Sequence, residues 1–181
     1  ESDKNFPNFD KVWHVLIIAN YTEPVYKLRE TLAALSQQTF PKKRIFVVLA
    51  MEEREKDAKE KAEILKNEFA HIFGDIFVTY HPDIEGEVKG KSSNQSYGAK
   101  IAYKKLVEEE GLDIKFATIS SVDADSIFDK QYFSYLSYKF LEDPKRYHKF
   151  WQSANVFYNN FWKVPAPTRI ISFFGSLWRT G

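Results

Sequence analysis

The chain has 181 residues, of which 44% are hydrophobic and 17% are aromatic, and this is enough for one domain of ordinary size with a sizeable core. It contains no cysteine, which excludes disulfide scaffolds, thiolate zinc sites and cysteine nucleophiles. The net charge of +1 hides an asymmetry, because residues 144–181 hold six Lys or Arg and no acidic residue, which leaves the first 143 residues at −5. The sequence therefore predicts two parts, residues 1–143 and a basic aromatic tail over residues 144–181.

Short apolar runs alternate with helical patterns through the first part. Residues 13–19 predict a fully buried strand, and Pro24 predicts the start of a helix that ends near Phe40. Further strands are predicted at residues 45–50, 76–80 and 115–119. Helices are predicted from three apolar stripes: Ala58, Ala62, Leu65 and Phe69; Ala99, Ala102 and Leu106; Phe133, Leu136 and Phe140.

Strands that alternate with helices of this length indicate βαβ units. They predict an α/β fold with a Rossmann-like, mostly parallel sheet and helices on both faces. In such sheets, ligands bind outside the carboxyl ends of the strands. The loops at those ends are therefore where functional residues are expected.

Two acidic residues stand at one such end, in the segment SSVDADS. Asp123 and Asp125 follow an apolar run that predicts a buried strand. Carboxylates at this spacing could hold Mg²⁺ or Mn²⁺ against a diphosphate, since both ions prefer oxygen ligands. An alternative interpretation is that Asp125 and Ser126 cap the next helix while Asp123 lies in a turn.

Three more loops reach the same predicted edge. ANYTEP brings Tyr21 and Glu23, the end of the second strand brings Glu52, and KGKSSNQS places Lys91 and Asn94 just before a helix, an end that favours phosphate. Each residue also has a simpler interpretation. Tyr21 could pack in the core, Glu23 could be an acid in the first turn of a helix, and Lys91 could be a solvated loop charge.

Together these segments resemble those of the family 2 glycosyltransferases, which have the GT-A fold. ANYTEP, AMEE, GKSSN and VDAD stand in the family's order and at compatible spacing over residues 12–130. The chain departs from the usual pattern at Ala19 and Thr22, and AMEE replaces a common Asp-Asp-Gly.

The resemblance implies a role for each matching residue. Tyr21 and Glu23 are expected to contact the base or ribose of a nucleotide-sugar, Glu52 the base, and Lys91 the pyrophosphate or sugar. Asn94 is expected to join the donor site, Asp123 to bind the sugar-phosphate, and Asp123 and Asp125 together to bind Mn²⁺ or Mg²⁺. The expected donor is a UDP-sugar, and the acceptor, a glycan or a lipid, is not identified.

An inverting transferase also needs a general base near the acceptor hydroxyl, commonly a carboxylate. The chain has no acidic residue after Asp143. We therefore expect the chain to be the donor-binding part of a longer enzyme, inactive alone, with the catalytic base downstream. The alternatives are a non-catalytic nucleotide-binding or docking module and a nucleotidyltransferase.

The tail includes Trp151, Trp162 and Trp178 and has three interpretations. It could pack in the core or bind single-stranded nucleic acid. It could also contact a membrane surface, because Arg169 and Arg179 flank the apolar run 170–177. The resemblance favours the membrane over nucleic acid, because many relatives carry membrane helices after this domain. We expect no nucleic-acid partner, and we expect the full-length protein to act at the cytoplasmic face of a membrane.

Other sites fit the sequence poorly. GEVKGKS has one residue too few between its glycines for a P-loop, and no G-x-G-x-x-G follows the first strand. The four histidines show no i,i+4 pair, and no G-x-S-x-G is present.

Overall fold

A computed structural model describes residues 7–152 together with residues 165 and 167. The strands of the described part are β1 (Trp13–Asn20), β2 (Ile45–Glu52), β3 (Asp75–His81) and β4 (Ala117–Asp123). The main helices are α1 (Val25–Ser36), α2 (Ala58–Phe69), α3 (Lys91–Tyr103) and α4 (Tyr132–Glu142), and α3 continues into a π-helical segment, Lys104–Glu109.

The four strands form one parallel sheet in the order β3-β2-β1-β4. This confirms the predicted α/β fold with a Rossmann-like parallel sheet flanked by helices. Strand β1 lies inside the sheet and is buried at seven of its eight positions, which agrees with a sequence that is apolar without alternation apart from His14 and Asn20. Following the chain, β2 and then β3 are added on one side of β1, and β4 is added on the other side of β1. The direction of strand addition therefore reverses between β1 and β4.

Right-handed crossovers determine which face each helix covers. Helices α1 and α2 each connect a strand to its neighbour on the same side, from β1 to β2 and from β2 to β3, so both lie on one face of the sheet. Helix α3 connects β3 to β4 in the opposite direction across the sheet, so it lies on the other face. Ala102 of α3 and Leu106 after it pack against Val15 and Ile17 of β1. Gly98 allows this close approach, because an added Cβ would lie 3.3 Å from the Ile17 side chain.

Two boundaries differ from the prediction. Helix α1 ends at Ser36 instead of near Phe40, because Gln38 turns away and its side chain hydrogen bonds the backbone at Asp129 and Phe133. Strand β4 begins at residue 117, after a 3₁₀ turn over 114–116, and continues to Asp123 itself.

The expectation that the strand before the two aspartates is buried is wrong. Among the described residues β4 pairs only with β1, so it forms an edge of the sheet, and α3 covers β1, β2 and β3 instead. Ile119 is consequently 63% exposed. A β-branched run is equally compatible with an edge strand, so its sequence could not reveal this exposure.

The chain divides into two compact units, residues 1–143 and 144–181. Within the second unit the structure describes a 3₁₀ turn, Arg146–His148, and a fully exposed Phe150. The features of the tail on which its interpretations depend, Trp162, Arg169, Trp178, Arg179 and the apolar run 170–177, lie outside the described residues. No helix of the described part is both long and apolar enough to cross a bilayer.

A buried histidine connects the sheet to α4. The His14 ring is fully buried, with Nδ1 2.5 Å from Thr118 Oγ1 and Nε2 2.9 Å from Ser137 Oγ. Ser137 donates its own hydroxyl proton to the Phe133 carbonyl oxygen, so His14 must donate from Nε2 and accept at Nδ1 from Thr118. Burial, and secondly the charge of Arg44, lower the pKa of His14 to about 3.

This histidine makes stability depend on pH. Between pH 6.5 and 3 the unfolded chain binds a proton at residue 14 that the folded chain does not, so stability falls as pH falls through this range. From pH 7 to pH 5 the loss due to His14 is about 2 kcal/mol in the free energy of unfolding. Urea denaturation at the two pH values measures this loss.

The variant His14→Gln should show a pH-dependent loss smaller by that amount, whatever its stability at pH 7. His71→Gln, at an exposed position, is the control and should keep the wild-type difference between the two pH values. If His14→Gln retained the full wild-type pH dependence, the neutral buried state of His14 would be wrong.

Candidate functional site

The candidate site lies at the carboxyl ends of β1 and β4, where the strand order reverses. Ala19 near the end of β1 is directly paired with Asp123 at the end of β4. A reversal of strand order opens a crevice, because the connections leaving the two neighbouring strands run to opposite faces of the sheet. The fold therefore places the D-x-D segment beside the ANYTEP loop.

A cleft of about 200 Å³ occupies this crevice. It is lined by every residue that the sequence predicted for the site, namely Tyr21, Glu23, Glu52, Lys91, Asn94, Asp123 and Asp125. Asn20, Arg54 and the backbone around Gly90 and Ala124 also line it. A second cavity, between Glu52 and the loop after β3, has a volume of about 10 Å³ and is too small for a nucleotide.

The two aspartates lie on either side of Ala124, whose backbone carbonyl group is held by a hydrogen bond. Thr31 of α1 is fully buried and donates a hydrogen bond to the carbonyl oxygen of Ala124, at 2.9 Å. Asp123 and Asp125 on either side of Ala124 are exposed. Helix α4 begins only at Tyr132 and its N-cap is Gln131, so the interpretation that Asp125 and Ser126 cap the following helix is wrong.

The start of α3 faces the same cleft. Lys91 is the first residue of α3 and Asn94 lies in its first turn, so the expectation that both precede the helix is wrong by one turn. The Lys91 ammonium forms an ion pair with Asp123 Oδ1. Lys91 is thus a helix residue and not a loop residue, and its exposed side chain has a specific ion-pair partner. No side chain caps the first turn of α3, which leaves its backbone N–H groups available to an anion.

Two buried asparagines present unpaired acceptors. Asn94 donates from Nδ2 to the Ala50 carbonyl oxygen at 2.8 Å, and Asn20 donates from Nδ2 to Glu55 Oε2 at 3.0 Å. These bonds fix both amide orientations and leave the two Oδ1 atoms buried without a hydrogen-bond partner. A buried unpaired acceptor is costly, and both asparagines are among the residues that line the cleft.

Tyr21 and Glu23 form the wall on the β1 side. Tyr21 is 43% exposed, so the core-packing interpretation is wrong. Its backbone N–H donates to Glu23 Oε2 at 3.1 Å, and Glu23 precedes the N-cap Pro24, so Glu23 is not an acid of the first helical turn. The guanidinium of Arg54 lies 4.3 Å from the centroid of the Tyr21 ring.

Glu52 lies behind this pair, at the end of β2. Its side chain is buried, with Oε2 3.4 Å from Arg54 Nε and 3.6 Å from His81 Nδ1. His81 in turn contacts Glu87 through Nε2 at 3.1 Å. Glu52 thereby connects the aromatic wall of the cleft to the loop after β3.

Sequence reasoning missed Asn20, Thr31 and Arg54. Asn20 and Arg54 had a weak signal, since Asn20 stands next to Tyr21 and Arg54 stands two residues after Glu52. Thr31 had none, because its partner Ala124 is 93 residues away in sequence.

Two of the residues that line the cleft, Asp123 and Asp125, carry carboxylates, the ligand type that Mg²⁺ and Mn²⁺ prefer. In the described part of the chain no three His, Cys, Asp or Glu side chains converge on one point, so Asp123 and Asp125 would supply the protein oxygens alone. Substrate phosphate and water complete such shells around Mg²⁺. The ammonium of Lys91 against Asp123 shows that this carboxylate already accepts a cation.

Comparison with known proteins adds no family assignment: no family model matches the chain, and no curated protein shows significant similarity to it.

Thr31 gives a test of how the D-x-D segment is held. Thr31→Val removes the hydroxyl and keeps the shape, leaving the Ala124 carbonyl oxygen unpaired, and we expect a loss of about 1–2 kcal/mol in unfolding free energy. We also expect faster amide hydrogen exchange in residues 122–127. Thr31→Ser keeps the hydroxyl and is the matched control. Unchanged exchange in Thr31→Val would show that this bond does not hold the segment.

Proposed function

We propose that the chain is the donor-binding part of a metal-dependent inverting glycosyltransferase that uses a nucleotide-sugar, with a UDP-sugar as the expected donor. One observation carries the proposal. Loops from four separate points of the chain bring an aromatic ring, buried acceptors, a cation at a helix N-terminus and two aspartates into one cleft at the strand-order reversal. A nucleoside diphosphate has a matching part for each of these groups.

The nucleoside would lie on the β1 and β2 side of the cleft. The exposed ring of Tyr21 offers a stacking surface, and the neighbouring Asn20 lines the same cleft. The buried side chain of Glu52, with Oε2 3.4 Å from Arg54 Nε, would offer a carboxylate oxygen as an acceptor at the base.

The diphosphate would lie between α3 and β4. Lys91 and the uncapped backbone N–H groups of α3 supply positive charge on one side, and Asp123 and Asp125 are placed to hold Mn²⁺ or Mg²⁺ on the other. A divalent cation bound there would stabilise the charge of the leaving diphosphate. This arrangement requires no proton from the protein on the donor side.

On the acceptor side the proposal assigns no residue. Transfer with inversion needs a base that takes a proton from the acceptor hydroxyl on the face opposite the diphosphate. The sequence has no carboxylate after Asp143. The proposal therefore places the base, the acceptor site and any membrane contact in a longer protein, and predicts donor binding without turnover for the chain alone.

Calorimetry tests the proposal through the metal. Wild-type chain should bind UDP at least about tenfold more tightly with Mn²⁺ than with EDTA, because the cation links the carboxylates to the diphosphate. Asp125→Asn should remove most of that difference. Glu109→Gln, an exposed position at the far end of the α3 extension, is the control and should behave as wild type.

Other outcomes would favour other functions. Equal binding with and without Mn²⁺ would indicate a nucleotide-binding or docking module. Tighter binding of UTP than of a UDP-sugar would indicate a nucleotidyltransferase. No binding of any nucleotide would contradict the proposal outright.

A further inference from the structure

Lys91 and Asp123 connect the two sides of the candidate diphosphate site. Lys91 begins α3, Asp123 ends β4, and the ion pair between them crosses the cleft. Both side chains are partly exposed, at 47% and 64%. The pair is therefore held by solvent-accessible groups that can separate without disturbing the core.

The ion pair involves one of the two residues that are expected to bind the metal. Asp123 Oδ1 accepts the Lys91 ammonium, and the same carboxylate is one of the two expected to bind a divalent cation. Two cations beside one carboxylate repel each other, so the ammonium opposes binding of a metal ion alone. A diphosphate changes this balance, because it brings negative charge to the start of α3, within the reach of a flexible lysine side chain.

We propose that Lys91 is a placeholder cation: it neutralises Asp123 in the empty site and transfers to the diphosphate when metal and nucleotide bind together. The inference rests on the proposed function and adds its regulation. Lys91 weakens the binding of a metal ion alone, but it strengthens the binding of metal and diphosphate together. One residue thus couples the two ligands, so that the metal ion binds more tightly with its nucleotide than alone.

The placeholder role predicts opposite effects of one substitution. In Lys91→Met, Mn²⁺ alone should bind about threefold to fivefold more tightly, since a competing surface ion pair is removed. UDP in saturating Mn²⁺ should bind at least about tenfold more weakly, because a charge-assisted contact to phosphate is lost. A lysine that only stabilises the local fold would not produce changes of opposite sign.

The chain offers a matched control. Lys89 lies two residues earlier and pairs with Asp83 at 2.5 Å, away from the two aspartates. Lys89→Met removes the same charge from the same segment, so it reports the general effect of net charge. Both affinities in Lys89→Met should stay within about twofold of wild type, because Lys89 is not among the residues that line the cleft and its exposed charge is screened.

The experiment measures free Mn²⁺ by electron paramagnetic resonance in titrations of the wild-type chain and the two variants, and UDP binding by calorimetry in saturating Mn²⁺. Tighter Mn²⁺ binding together with weaker UDP binding in Lys91→Met alone supports the placeholder. If wild type binds UDP with Mn²⁺ but Lys91→Met leaves the affinity for Mn²⁺ alone unchanged or weaker, the placeholder is wrong and the proposed function stands. If wild type binds no UDP with Mn²⁺, both are wrong.

Discussion

Strand β1 is buried from both faces and pairs with β2 on one side and β4 on the other, and the candidate site depends on this central position. Because the chain returns across the sheet through α3, Asp123 is brought into register with Ala19. The same return places the amino end of α3 at the carboxyl edge of the sheet. An anion-binding helix end and a pair of carboxylates thus face each other across one cleft, a juxtaposition that no local segment could produce.

Polar groups inside the fold serve two different purposes. Around His14, every polar contact is paired, and the result is a neutral ring that ties β1 to α4. Around the cleft, Asn20 and Asn94 use their amide nitrogens for the protein and leave their oxygens without a partner. Complete pairing contributes stability, whereas the unpaired oxygens of Asn20 and Asn94 carry a desolvation cost in residues that line the cleft.

Much of the fold could be predicted from local patterns. The apolar run over residues 15–19 of β1 and the stripe of α2, whose four positions are all buried, are local signals that predict their own elements. The exposure of Ile119 could not be predicted, because it depends on which helix covers which strand. The seven residues predicted for the site share one cleft, since the rule that ligands bind at the carboxyl ends of parallel strands places their loops together. Thr31 and Arg54 act through tertiary contacts and left no comparable pattern.

The central claim is that Asp123 and Asp125 hold a divalent cation against a nucleoside diphosphate. Anomalous diffraction from crystals soaked in Mn²⁺ and UDP tests it most directly, because the manganese position can be located independently of the rest of the map. The account predicts an anomalous peak about 2.1 Å from a carboxylate oxygen of each aspartate, bridged to the diphosphate. Nucleotide density in the cleft with no manganese beside either aspartate, or manganese and nucleotide bound elsewhere, would contradict it.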